Sequence, residues 1–131
     1  MAERIIDSDV LIDALRGVRR ANTTLARLVR EGVVATTAVN VFELASGALT
    51  KEDEQRVGEL IATLAVLPLD VPSAFEAARI DRELRARGER IDVRDTIIAG
   101  IAMWHGVPLV TRNHRHFERI TGLTLEGLDP D

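Results

Sequence analysis

Three acidic residues in this chain stand where apolar runs break off, and acids placed that way can do phosphate chemistry. Asp7 ends the run Ile5-Ile6. Glu43 lies in the stretch Val39 to Leu49, just after Val33-Val34-Ala35. Asp95 opens the apolar stretch Thr96 to Trp104, which feeds Pro108-Leu109-Val110. If these runs are parallel strands, the acids gather at the strands' carboxyl ends, where open α/β sheets bind ligands. Two carboxylates ~5 Å apart repel by roughly 3 kcal/mol at an effective dielectric of ~20. A divalent cation between them is the simplest way to offset that. An all-carboxylate site suits a hard ion such as Mg²⁺ (or Mn²⁺), which takes oxygen ligands and keeps several waters.

The elements that must position these acids alternate along the chain. Ile5-Ile6 reads as a first strand, and Val10 to Leu15 as a short helix ended by Gly17. Asn22 to Glu31 is amphipathic through Leu25, Leu28 and Val29, with Gly32 just past its end. Val33 to Ala35 forms a second strand. Thr37 suits the N-cap of the next helix, which carries Val41, Leu44 and Ala45 and stops near Gly47. Glu52 to Leu64 is a further helix, Val66-Leu67 a brief strand, and Ser73 the cap of a long helix from Ala74 to Arg87. Then come helix Arg94 to His105, strand Leu109-Val110, a turn from Asn113 to Phe117 and a last strand at Thr124-Leu125. The four prolines, Pro68, Pro72, Pro108 and Pro130, fall between elements. This order predicts one α/β domain over residues 1–131, a mostly parallel twisted sheet of four to five strands with helices on both faces.

Composition narrows the function classes. With 46% hydrophobic and 29% charged residues the chain is globular. It has no cysteine, which excludes disulfides, thiolate metal sites and cysteine nucleophiles. The apolar runs fall short of a membrane span and the start Met1-Ala2-Glu3 does not resemble a signal peptide, so a cytoplasmic protein is expected. A net charge of −4 argues against a DNA-coating protein but permits a nuclease with local basic patches. Lys51 is the only lysine.

Four segments together resemble the PIN-domain family. They are Ile6-Asp7-Ser8-Asp9-Val10-Leu11-Ile12-Asp13, Phe42-Glu43-Leu44-Ala45-Ser46-Gly47-Ala48, Arg94-Asp95-Thr96-Ile97-Ile98-Ala99-Gly100, and Leu109-Val110-Thr111-Arg112-Asn113-His114-Arg115-His116-Phe117. The resemblance spans essentially the whole chain, and its wording is closest to the VapC toxins of toxin–antitoxin pairs. It implies a Mg²⁺- or Mn²⁺-dependent ribonuclease that cuts single-stranded or looped RNA, with Asp7, Glu43 and Asp95 holding the metal. It also implies a homodimer within a larger toxin–antitoxin assembly, inhibited by a small DNA-binding antitoxin. Around the three acids, Asp9 and Thr111 would support the site, and Arg112 or Arg115 would grip a flanking phosphate. Asn113 stands where many PIN nucleases carry a fourth aspartate. It would supply a neutral ligand, a water contact or nothing.

Plainer readings compete residue by residue. Asp7 or Asp9 could cap the first helix, and Asp13 reads as a solvated helix acid. Asp92 suits an N-cap, leaving Asp95 to the metal. His114 and His116 read as exposed or RNA-facing, and Trp104 as core or interface. Arg79, Arg82, Arg85, Arg87 and Arg90 alternate with Asp81, Glu83 and Glu89, which favours a salt-bridged solvent face over an RNA track. Two other functions remain open. Asp7-Ser8-Asp9 resembles the D-x-D of haloacid-dehalogenase phosphatases, though Leu11 and the placement of Lys51 disfavour it. A PIN fold acting as a metal-free binding module is the non-enzymatic alternative, suggested by Asn113 alone.

Overall fold

The structure, a computed structural model, describes residues 2 and 4–130. Met1, Glu3 and Asp131, and with them the expected domain limits and the acidic start, lie outside the described residues. Five strands form one sheet: β1 (Arg4–Ile6), β2 (Val34–Thr37), β3 (Ala65–Leu67), β4 (Leu109–Val110) and β5 (Leu125–Glu126). Their order is β3-β2-β1-β4-β5 and every pairing is parallel. The helices are α1 (Ser8–Leu15), α2 (Arg19–Glu31), α3 (Ala38–Ser46), α4 (Lys51–Ile61), α5 (Val71–Ala86), α6 (Val93–His105) and the short α7 (His114–Phe117).

Alternation along the strands splits the core in two. Ile5, Ala35 and Leu109, neighbours in register, point to one face and pack with Ile80, Leu84, Ile98 and Ile101 of α5 and α6. Ile6, Val34 and Val110 point to the other face and pack with Val10, Leu11, Leu25, Leu28, Leu44 and Val57 of α1 to α4. A strand buried on both faces has no polar side to show, which is why β1 is apolar throughout its last two residues. Each fully buried Ile or Leu adds on the order of 2 kcal/mol to the fold.

Several expected boundaries move, each for a local reason. The first helix begins at Ser8 rather than Val10, because the Asp7 carboxylate accepts the Ser8 N–H and caps it there. The second begins at Arg19, three residues before Asn22. Strand β2 runs on to Thr37, whose hydroxyl then caps α3 in a reciprocal box with Asn40. The long fifth helix is capped by Asp70, not Ser73. Ser73 is the third residue of that helix and closes the box by accepting the Asp70 N–H on its hydroxyl oxygen. Pro72 accordingly lies inside the first turn, where a missing N–H costs nothing, and not between elements. Trp104 is 53% exposed and does not belong to the core. The arginine-rich face of α5 is salt-bridged as expected, through Arg79 to Glu76 and Glu83 and through Arg85 and Arg90 to Asp81.

Candidate active site

The parallel sheet puts the carboxyl ends of β1, β2 and β4 on one edge, and the chain reverses its direction of travel between β1 and β4. Ligands of open α/β sheets bind at such a switch point. Asp7 follows β1 directly and its N–H donates to the Val110 carbonyl (2.9 Å), so the ladder itself fixes the residue. Thr111 follows β4, and its hydroxyl donates to Asp7 Oδ2 at 2.7 Å. Asp7 is buried, as is Thr111.

Asp9, one step into α1, stands against the same group. Its Oδ2 lies 3.4 Å from the Thr111 hydroxyl and accepts the Arg112 N–H at 3.0 Å. Its Oδ1 is buried with no hydrogen-bond partner among the described residues. Asp9 is therefore not the cap of α1; Asp7 does that work while facing the crevice. Glu43 projects from the second turn of α3 and accepts from the Ser8 hydroxyl at 2.8 Å. Asp95 projects from the first turn of α6, whose N-cap is Asp92 as expected. Asn113 Nδ2 lies 3.4 Å from Asp95 Oδ2 and 3.3 Å from His116 Nδ1, so this amide ties Asp95 to the loop after β4.

Electrostatics bind these acids into one group. Burial pushes the Asp7 carboxyl up to about 7, and the neighbouring charges of Asp9 and, more weakly, Asp95 push the same way. Burial also raises Asp9, against the pull of the Arg112 N–H and guanidinium. Asp95 is raised by burial first, then by Asp92 and Glu43. The charge coupling runs from Asp9 through Asp7 to Asp95 and on to Glu43. Among the described residues, however, no three His, Asp or Glu side chains converge closely enough to hold a metal ion unaided. Repulsion and the separate hydrogen bonds to Ser8, Thr111 and Asn113 keep the carboxylates apart. The donor set still suits Mg²⁺ or Mn²⁺: every candidate ligand is an oxygen, and one buried carboxylate oxygen is left unpaired. An ion that keeps most of its waters needs only one or two direct carboxylates.

Other residues were invisible or misplaced in the sequence. Asn40 is fully buried. Its Nδ2 donates to Asp7 Oδ1 (3.1 Å) and Ser8 Oγ (2.7 Å), and its Oδ1 accepts from the Thr37 N–H and hydroxyl. All four hydrogen-bonding positions of the amide are used, so the Ser8 proton is directed to Glu43. The signal available was the spacing Thr37-Ala38-Val39-Asn40, a capping box whose fourth member is an amide. Arg94 spans the crevice mouth, hydrogen-bonded to Asp92 and 3.8 Å from Glu43 Oε2. Asp13 is not a solvated acid: its side chain is only 15% exposed and pairs with the Arg112 guanidinium at 3.0 Å. Arg112 thus has an anchor within the chain, whereas Arg115 is exposed. His114 and His116 are half-buried rather than free, with His114 Nε2 against the Glu126 carbonyl at 3.2 Å.

Comparison with known proteins agrees with this geometry. The PIN domain family matches residues 4–123. A protein named ribonuclease VapC10, from Mycobacterium tuberculosis, is 35% identical over 113 residues, 86% of this chain and 84% of that protein. The tRNA(fMet)-specific endonuclease VapC of Shigella flexneri is 27% identical over 130 residues, 96% and 98% of the two chains. A solved structure of DNA-bound VapBC from Salmonella typhimurium superimposes with a TM-score of 0.86 at 26% identity, over 97% of this chain and 98% of that one. With family, topology and the acidic crevice in agreement, this chain belongs to the PIN-domain family and, within it, to the VapC ribonucleases.

Proposed function

We propose that residues 1–131 act as one PIN domain, a Mg²⁺- or Mn²⁺-dependent endoribonuclease that serves as the toxin of a toxin–antitoxin pair in the cytoplasm. One observation carries the reading: buried Asp7 and half-buried Asp9 share the Thr111 hydroxyl at the sheet's switch point, with one Asp9 carboxylate oxygen buried and unpaired and with Asp95 and Glu43 coupled to the pair by charge. Asp7, Glu43 and Asp95 would hold the metal, and Asp9 joins them rather than standing behind them. A bound divalent ion supplies a water of lowered pKa and offsets charge building on the phosphoryl oxygens.

The chain's own groups do the rest. Thr111 and Asn40 fix Asp7 from two sides, so the carboxylate does not turn when substrate arrives. Asp9 Oδ1, lacking a partner, accepts the proton of the attacking water. Ser8 and Arg94 orient Glu43, and Asn113 orients Asp95. Arg112, steadied by Asp13, meets a phosphate oxygen at the rim.

The VapBC complexes among the structural relatives support a protein inhibitor. Here a groove of about 260 Å³ between α1, α3 and α4 has a floor that includes Ile12, Leu15 and Leu44 and a charged rim of Arg16, Asp53 and Arg56, and it runs up to Glu43. It would take an apolar segment of the antitoxin, with an arginine reaching the acids. Exposed Val71 and Phe75, one turn apart on α5, offer a face for a second copy.

The test is cleavage of single-stranded RNA by the purified chain with Mg²⁺ or Mn²⁺ added, and again in EDTA. Cleavage should appear with metal and vanish in chelator. Undiminished cutting by stripped protein would overturn the metal-dependent reading.

A further inference from the structure

A second cavity, of about 290 Å³, opens beside the acidic crevice between the loop after β4 and the C-terminal segment. Its lining is Arg20, Thr111, Arg112, His114, Gly127 and Leu128, with no Asp or Glu among them. In a chain of net charge −4, this hollow is lined by two guanidinium groups, and only that of Arg112 is held by an acid, Asp13. Thr111 is the shared wall: its hydroxyl touches Asp7, and its residue also lines the cavity.

The walls are built rather than incidental. The segment carrying Leu128 and Asp129 crosses α2, where Asp129 takes a bidentate bond from Arg27 (2.7 and 2.9 Å) and donates its N–H to the Thr24 hydroxyl (2.8 Å). Arg20 donates to the main-chain carbonyls of Leu128 and Asp129. Because Arg27 holds the Asp129 carboxylate, Arg20 makes no ion pair among the described residues. It therefore keeps its charge and part of its donor fork for a ligand. Arg112 reaches the same cavity from its anchor on Asp13.

We infer that this cavity seats the RNA phosphate next to the scissile one, with Arg20 and Arg112 as its forks. The strand then runs from the acids across Thr111 and beneath the C-terminal segment. Guanidinium forks match phosphate oxygens two at a time, and such contacts position a strand without reading its sequence. The inference rests on the ribonuclease reading and names a part of the substrate that the acids do not touch.

The experiment follows steady-state cleavage, with Mg²⁺, of a short single-stranded RNA that the wild-type chain cuts. Arg20→Gln should raise KM roughly tenfold with kcat little changed, as for a lost charged hydrogen bond. The slope of log(kcat/KM) against log salt should fall in magnitude by about 0.7, one phosphate's share on a single strand. Arg20→Lys should restore the slope and most of the affinity. Asp129→Ala frees the segment, keeps the Arg20 charge and removes a neighbouring anion, so its slope should not fall in magnitude. Arg20 is exposed, so its two substitutions leave the core intact. An unchanged KM and slope for Arg20→Gln would overturn the subsite, leave the ribonuclease reading standing, and turn the cavity towards an acidic protein partner. So would a loss in Arg20→Gln that Asp129→Ala reproduces with the slope intact, since Arg20 would then act only through the segment. If the wild-type chain cuts no RNA under any metal, the broader reading falls first and takes this one with it.

Discussion

Asp7 is held in the fold against its own charge. Its usual value of 3.8 rises to about 7, chiefly through burial. A group whose folded pKa exceeds its unfolded pKa favours the folded state most fully below the unfolded value, and that contribution drains away as pH climbs through the folded value. The metal-free protein should therefore lose stability, by a few kcal/mol, between about pH 4 and pH 7. Asp7→Asn should flatten that decline, melt at or above the wild-type temperature at neutral pH in EDTA, and cut no RNA. Thermal melts across the range decide it. A wild-type curve already flat over this window would refute the buried-charge account. Asp13 carries a second expectation at the same level. It holds Arg112, so Asp13→Asn should weaken cleavage several-fold through KM while costing under about 1 kcal/mol of stability, because Arg112 is half exposed. Unaltered cleavage would show that Arg112 needs no anchor.

The crevice is only as exact as the seam between α5 and α6, since Asp95 rides on the first turn of α6. Those helices touch where Gly100 meets Ala77. A Cβ at residue 100 would lie 2.6 Å from the Ala77 Cβ and 2.7 Å from its Cα, which is backbone and cannot step aside. Gly100→Ala should thus cost about 1–3 kcal/mol by overpacking, although alanine is intrinsically the better helix former. Urea denaturation measures it; a stabilised variant would show that the seam gives. What the sequence made legible follows from what each element needs. Short apolar runs located β1, β2 and β4, the first of them ending in an acid, and Thr37 and Asp92 were recognisable caps, because caps are chosen locally. Ser73 and Asp70 were confused because both can cap, and only the backbone tells which stands outside the helix. The Asn40–Asp7, Arg94–Glu43 and Asp13–Arg112 contacts were illegible. Their partners lie tens of residues away, and no spacing rule reaches across a sheet. The same distance hid the contacts of Asp9 with the Thr111 hydroxyl and the Arg112 N–H.

Strand order has a consequence in time. β1 is the centre of the sheet and the first strand made, yet its neighbour β4 comes last but one. Asp7 and Thr111 are 104 positions apart. A chain that has emerged only as far as α4 carries β1, β2 and the helices of one face. At that stage it already holds Asp7, Asp9 and Glu43. It lacks Asp95, which arrives on α6, and it lacks Thr111, Asn113 and every wall of the basic cavity except Arg20. Parallel pairing over such a separation is slow to close. The acidic crevice is therefore complete only when β4 slides in beside β1, leaving an interval in which a restraining partner can already be waiting.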